Sequence, residues 1–208
     1  RSEAYFADKL LSLLSDAVKL QLRSDVPLGA HLSGGLDSSV VSCLAAGNLG
    51  ARIKTFTGAF DDGREYDESG YAKKVSRHIK SQYFEVRPTA KDFKQSIAKI
   101  IYMMDEPLAG PGVFPQFFVS RLASQNVKVV LGGQGGDEIF GGYARYLIAY
   151  LEQSIKASIF GGNEEGRDSI TLESLLPNLH ILNGYKPLLQ SFWSEGVFVC
   201  TIYFRATF

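Results

Sequence analysis

Leu28-Gly29-Ala30-His31-Leu32-Ser33-Gly34-Gly35-Leu36-Asp37-Ser38-Ser39 reads as a short buried strand over Leu28 to Leu32, a glycine turn, and a helix from Asp37 to about Asn48. A turn that ends a strand and opens a helix presents unpaired backbone N–H groups and the positive end of the helix dipole to an anion. Gly34 and Gly35 let the backbone come close to such an anion, and Ser33, Ser38 and Ser39 add hydroxyl donors. Asp37 by itself would repel a phosphate. A divalent cation between them removes the conflict, so Asp37 reads as a Mg²⁺ ligand and the turn as a metal-dependent pyrophosphate site. No Gly-Lys-Ser/Thr follows, which excludes a Walker A loop, and the Gly-x-Gly-x-x-Gly spacing of a dinucleotide fingerprint is missing.

Working outward, Glu3 to Arg23 carries a helical stripe (Phe6, Leu10, Leu13, Leu14, Val18, Leu22) that Asp25-Val26-Pro27 ends. Further strands are expected at Ile53 to Phe60, Gln82 to Val86 and Val127 to Leu131. Helices are expected at Asp67 to Lys80, Asp92 to Met104, Gln116 to Gln125 and Glu138 to Ser158, with Asp105 to Pro115 as a Pro/Gly-rich loop. Val127 to Leu131 has the unbroken apolar character of a parallel strand buried on both faces. Strands alternating with helices point to an α/β fold, doubly wound around a mostly parallel, Rossmann-like sheet. One domain over 1–160 and an incomplete helical part over 161–208 is the expected organisation.

A second turn, Gly132-Gly133-Gln134-Gly135-Gly136-Asp137-Glu138, follows the last of these strands, and in an open α/β sheet both turns then lie at the ligand-binding carboxyl edge. Asp137 could offer a second carboxylate to the same metal. Among the neighbours, Glu68 reads as a solvated helix residue, Asp105-Glu106-Pro107 as a structural turn or a pocket wall, and Tyr143, Arg145 and Tyr146 as packing residues. His31, His78 and His180 lack metal-ligand spacing. His31-Leu32-Ser33-Gly34-Gly35 superficially resembles a hydrolase nucleophile elbow, but the residue two before the serine is not small.

Lys plus Arg equals Asp plus Glu at 22 each, which argues against a chain built to coat nucleic acid or an anionic membrane. Cys43 and Cys200 stand in apolar surroundings and read as reduced, buried thiols. With no membrane span and no signal peptide apparent, a piece of a cytoplasmic protein is expected.

The turn at 33–39 resembles the pyrophosphate loop of the N-type ATP pyrophosphatases, whose fold is of the adenine nucleotide alpha hydrolase type. The narrower resemblance is to the synthetase domain of the glutamine-dependent asparagine synthetases. It is carried by Glu65-Tyr66-Asp67-Glu68-Ser69-Gly70-Tyr71-Ala72, by Met104-Asp105-Glu106-Pro107, and by Gly132 to Tyr146 with its Phe140-Gly141-Gly142-Tyr143-Ala144-Arg145-Tyr146. It covers roughly residues 1 to 150.

The resemblance implies an ATP-dependent ligase. ATP would activate the side-chain carboxylate of aspartate as an acyl-adenylate with release of pyrophosphate, and ammonia would displace AMP to give asparagine. Ser33, Gly34, Gly35, Asp37, Ser38 and Ser39 would hold pyrophosphate, and Asp37 and Asp137 Mg²⁺. Leu32 and Gly58 would line the adenine and ribose pocket through their backbones, with Gly132 and Gly133 at the nucleotide and Gly133 near the α-phosphate. A glutaminase domain is expected in the full-length protein, and a homodimer is compatible with the family. The chain departs from the family at Gly132-Gly133-Gln134-Gly135, where Ser-Gly-Glu-Gly is usual. Gln134, at a position tied to acyl transfer, can hydrogen-bond but cannot take a proton. That leaves open an asparagine-synthetase-like amidotransferase acting on another carboxylate, such as a sugar acid, or a non-catalytic nucleotide-binding module.

Overall fold

A computed structural model describes residues 2–160 apart from 50, 62, 64–66, 106–109 and 111; the side chains of residues 144 and 154–160 are not described. The elements run α1 (Glu3–Gln21), β1 (Leu28–His31), α2 (Leu36–Asn48), β2 (Lys54–Gly58), α3 (Ser69–His78), β3 (Gln82–Val86), α4 (Ala90–Met103), α5 (Val113–Ser124), β4 (Val129–Leu131), α6 (Gly136–Phe140) and α7 (Ala144–Phe160). The chain divides into two compact units, Arg1–Gln134 and Gly135–Phe208.

In the first unit the four strands form one parallel sheet in the order β3-β2-β1-β4. Parallel neighbours need crossover helices, and these cover the sheet on two sides. Ala30 and Ile53 pack with Val18 of α1 and Ala45 of α2 on one face. Phe56, fully buried, packs with Val119 and Ala123 of α5 on the other and stacks on Phe84 at 5.3 Å. Neighbouring residues of a strand serve opposite layers because side chains alternate. Thr55, next to Phe56, belongs instead to a buried hydroxyl chain through Ser81 to Ser76 (2.9 and 2.7 Å). This is the expected doubly wound α/β arrangement.

The strand order reverses between β1 and β4. Such a reversal opens a crevice beyond the carboxyl ends of the two strands, and there the glycine turns follow. Three boundaries differ from expectation. β4 is shorter than Val127 to Leu131 and is an edge strand among the described residues, with Val129 38% exposed rather than buried on both faces. The turn closing α5 runs on through Asn126 and Val127, whose N–H groups both return to the Ala123 carbonyl at 2.9 Å, so Val127 is spent on the core. α5 begins at Val113, with Pro115 inside its first turn, where a missing N–H costs no intrahelical bond.

The second unit opens with α6, and the single helix expected over Glu138 to Ser158 is broken. Gly141 adopts φ +70, a left-handed conformation glycine takes without steric cost, and the chain restarts as α7. The part expected over 161–208, with His180 and Cys200, lies outside the described residues. Cys43 is free and only half-buried, and that burial raises its thiol pKa. No described helix is long and apolar enough to cross a membrane.

Candidate functional site

The turn after β1 is held rigid by its own hydroxyls. Ser38 Oγ accepts the Ser33 N–H at 3.2 Å and lies 2.9 Å from Ser33 Oγ, which accepts the Gly35 N–H at 3.2 Å. Ser38 and Ser39 hydroxyls reach the Gly35 carbonyl at 3.2 and 2.7 Å. The serines expected as phosphate donors thus shape the turn first. The groups left for an anion are backbone: the N–H groups of Leu36, Asp37 and Ser38 precede the first intrahelical bond, and no other described residue takes them. Gly34 has φ +101, and a side chain there would strike the start of α3, with the Glu68 oxygen at 2.6 Å and the Ala72 nitrogen at 2.9 Å.

Gly133, just past β4, is seated on the first turn of α2. A Cβ at that position would stand 2.6 Å from the Ser38 nitrogen and 2.9 Å from Asp37 Cβ. The two glycine turns therefore meet within the first unit, as their places after adjacent strands predict. Asp37 is half-buried in the first turn of α2, and no other described residue gives its carboxylate a hydrogen bond or an ion pair. Gly132 and Gln134 are exposed.

Beside this junction lies a cavity of about 300 Å³. The end of β1 and its turn contribute His31, Leu32 and Ser33; β2 and the residues after it contribute Phe56, Gly58 and Phe60. Glu68 stands at the start of α3, and Gly112, Pro115, Gln116 and Val119 belong to α5 and its N-cap. Leu32, Ser33 and Gly58 are brought together as expected. Gly58 has no room for a side chain because Val119 Cγ2 occupies its place, 3.0 Å from where a Cβ would sit. Glu68, read from the sequence as a solvated helix residue, is exposed yet lines the cavity.

The α5 wall and His31 were not legible as site residues: Gln116 Nε2 meets His31 Nδ1 at 3.2 Å across 85 residues of sequence. Burial lowers the His31 pKa, and its Nε2, also buried, has no partner. The only sequence signal was the Pro/Gly-rich stretch before Gln116.

In the second unit, Asp137 and Glu138 open α6. Gly142 donates its N–H to the Asp137 carbonyl at 2.9 Å, and a Cβ at Gly142 would collide with the Asp137 carboxylate. Tyr143 donates its hydroxyl to Glu138 at 2.7 Å, a bond that holds the carboxyl below its ordinary pKa, and the Arg145 guanidinium lies 4.0 Å from the Tyr143 ring centroid and 5.2 Å from that of Tyr146. These three are packing residues, as expected. Among the described residues no three His, Cys, Asp or Glu side chains are grouped to hold a metal on their own.

Fold and site together define a doubly wound α/β domain whose strand-order reversal carries an anion-ready glycine turn. The chain belongs to the asparagine synthase family, whose model matches residues 9–190. A Methanocaldococcus jannaschii protein provisionally named asparagine synthetase [glutamine-hydrolyzing] 2 is 44% identical over 69% of this chain and 28% of its own length. Asparagine synthetase [glutamine-hydrolyzing] 1 of Bacillus subtilis is 35% identical over 67% of this chain and 22% of its own. The chain thus spans about a quarter of the length of these curated relatives. Among solved structures, the NH3-dependent NAD synthetase of Campylobacter jejuni matches with a TM-score of 0.44 and 16% identity, over 66% of this chain and 60% of that one.

Proposed function

We propose that this chain is the ATP-using part of an amide-forming ligase. It binds ATP, adenylates a carboxylate (aspartate foremost) with release of pyrophosphate, and passes the activated acyl group to ammonia, giving asparagine and AMP. The observation that carries this reading is Gly133 seated on the Asp37–Ser38 turn, which puts two glycine-lined backbones at one edge beside a nucleoside-sized cavity. The N–H groups of Leu36, Asp37 and Ser38 would take the phosphate oxygens. Leu32 and Gly58 would flank the nucleoside.

Asp37 fits a Mg²⁺ ligand: its unpaired carboxylate is a hard oxygen donor, and Mg²⁺ commonly uses one or two carboxylates together with substrate phosphates. Asp37 and Asp137 would hold the ion, which when bound neutralises charge on the departing pyrophosphate. The chain's own part in the chemistry is placement and fixed dipoles, the terms that dominate when little covalent work falls to the protein. Ammonia would come from a glutaminase domain of the full-length protein, working in the cytoplasm and without nucleic acid or membrane.

Exchange of labelled pyrophosphate into ATP, dependent on added aspartate, tests this in the full-length protein. Asp37→Ala is expected to abolish Mg-ATP binding with the fold retained, and intact affinity in that variant refutes the metal role. A second reading, an amidotransferase for another carboxylate, is favoured by Gln134. Gln134→Glu is expected to keep ATP binding and raise aspartate-dependent exchange; no gain points to a different acceptor. ATP binding without exchange for any carboxylate marks a non-catalytic nucleotide module.

A further inference from the structure

The cavity's walls of Leu32, Phe56, Phe60 and Val119 suit a flat ring but cannot tell one purine from another by contact alone. Discrimination needs a polar group with a free hydrogen-bonding end. Gln116 supplies one. Its Nε2 is 3.2 Å from His31 Nδ1 and 3.4 Å from Ser120 Oγ, so both amide hydrogens have a partner. Nδ1 can accept because the half-buried imidazole is kept neutral by desolvation. That fixes which end of the amide is engaged, and Oε1 has no partner among the described residues. The cavity is therefore lined by a carbonyl acceptor whose orientation is tied down from behind.

Adenine and guanine differ at the exocyclic position, an amine donor in the first and a carbonyl acceptor in the second. A fixed acceptor attracts one and repels the other. Resting on the ATP reading above, we propose that Gln116 selects adenine over guanine in this cavity, with His31 as the residue that positions it.

The test is a calorimetric titration of the full-length protein, its Gln116→Met and Gln116→Arg variants and His31→Leu, with Mg-ATP and with Mg-GTP. The wild type should favour ATP. Gln116→Met, close in volume, should weaken ATP about three- to tenfold, the worth of one neutral hydrogen bond, and leave GTP unchanged. Gln116→Arg replaces the acceptor with a donor and should shift the preference towards GTP. A general loss of folding lowers both ligands together, so the ATP-to-GTP ratio separates selection from damage. His31→Leu should lower the ratio part of the way; equal losses for both nucleotides would reduce His31 to a structural role and overturn its part. An unchanged ratio in both Gln116 variants, with ATP still bound, overturns the selection. A folded wild type that binds neither nucleotide overturns the ATP reading itself, and this inference with it.

Discussion

At Gly34 a side chain would meet the Glu68 carbonyl at 2.6 Å and the Ala72 nitrogen at 2.9 Å, whereas at Gly135, which shares its positive φ, nothing stands within 4 Å. The turn after β1 is closed by five hydrogen bonds to or between its serine hydroxyls and wedged against α3. Of the glycines in the turn after β4, Gly133 is packed and Gly132 and Gly135 are open. Glycine in the first turn answers to packing as much as to any ligand. In the second it answers to one contact, Gly133 on α2, and otherwise to backbone conformation.

The contrast can be broken most sharply at Gly34. Gly34→Ala combines a left-handed backbone with a clash against two main-chain atoms, and should lose about 3 kcal/mol of stability in urea denaturation. A loss near that of Gly135→Ala would mean α3 yields and the wedge is soft. Gly133→Ala should come next, weakening Mg-ATP at least tenfold, about 1.4 kcal/mol, because the neighbours it meets are backbone. Wild-type affinity there would show that the contact between the turns is dispensable. Gly135→Ala, strained but unobstructed, should cost about 1 kcal/mol.

The smallest effect lies outside both turns. Partial burial pushes the Glu85 carboxyl up, but hydrogen bonds from Lys73, Tyr83 and Arg87 bring it below the ordinary glutamate value. A depressed folded pKa stabilises above the unfolded value, near 4.3, and the stability is lost as pH falls through the folded one. Glu85→Gln should flatten the acid limb of the stability curve below about pH 4, by less than about 1 kcal/mol, while leaving Mg-ATP affinity unchanged. A curve that keeps the wild-type slope would show that Glu85 does not titrate as argued.

Much of this was legible in the sequence where the signal is local. The strand over Gln82–Val86 and the helix end at Asn48 fall where β-rich residues and a glycine stop placed them. What escaped depends on neighbours. Val127 carries the same apolar signature as Val129, but the closing turn of α5 claims it for the core. Glu68 reads as solvated because it is exposed, and only the approach of α3 to Gly34 brings it to the cavity. His31 and Gln116 have nothing in common along the chain until β1 and α5 lie side by side.

The strand order has a consequence for how the domain is made. β1 pairs with β2 through Gly29↔Lys54, but with β4 through Leu28↔Val129. The first pairing closes a short loop, and the second waits for most of a hundred further residues and pays the slower search such distant contacts demand. A ribosome would therefore release β1, β2 and β3 able to associate while β1's other edge, and the resting place of Gly133, are still bare. Any chain halted before Val129 would carry a finished first turn with no counterpart to lean on it.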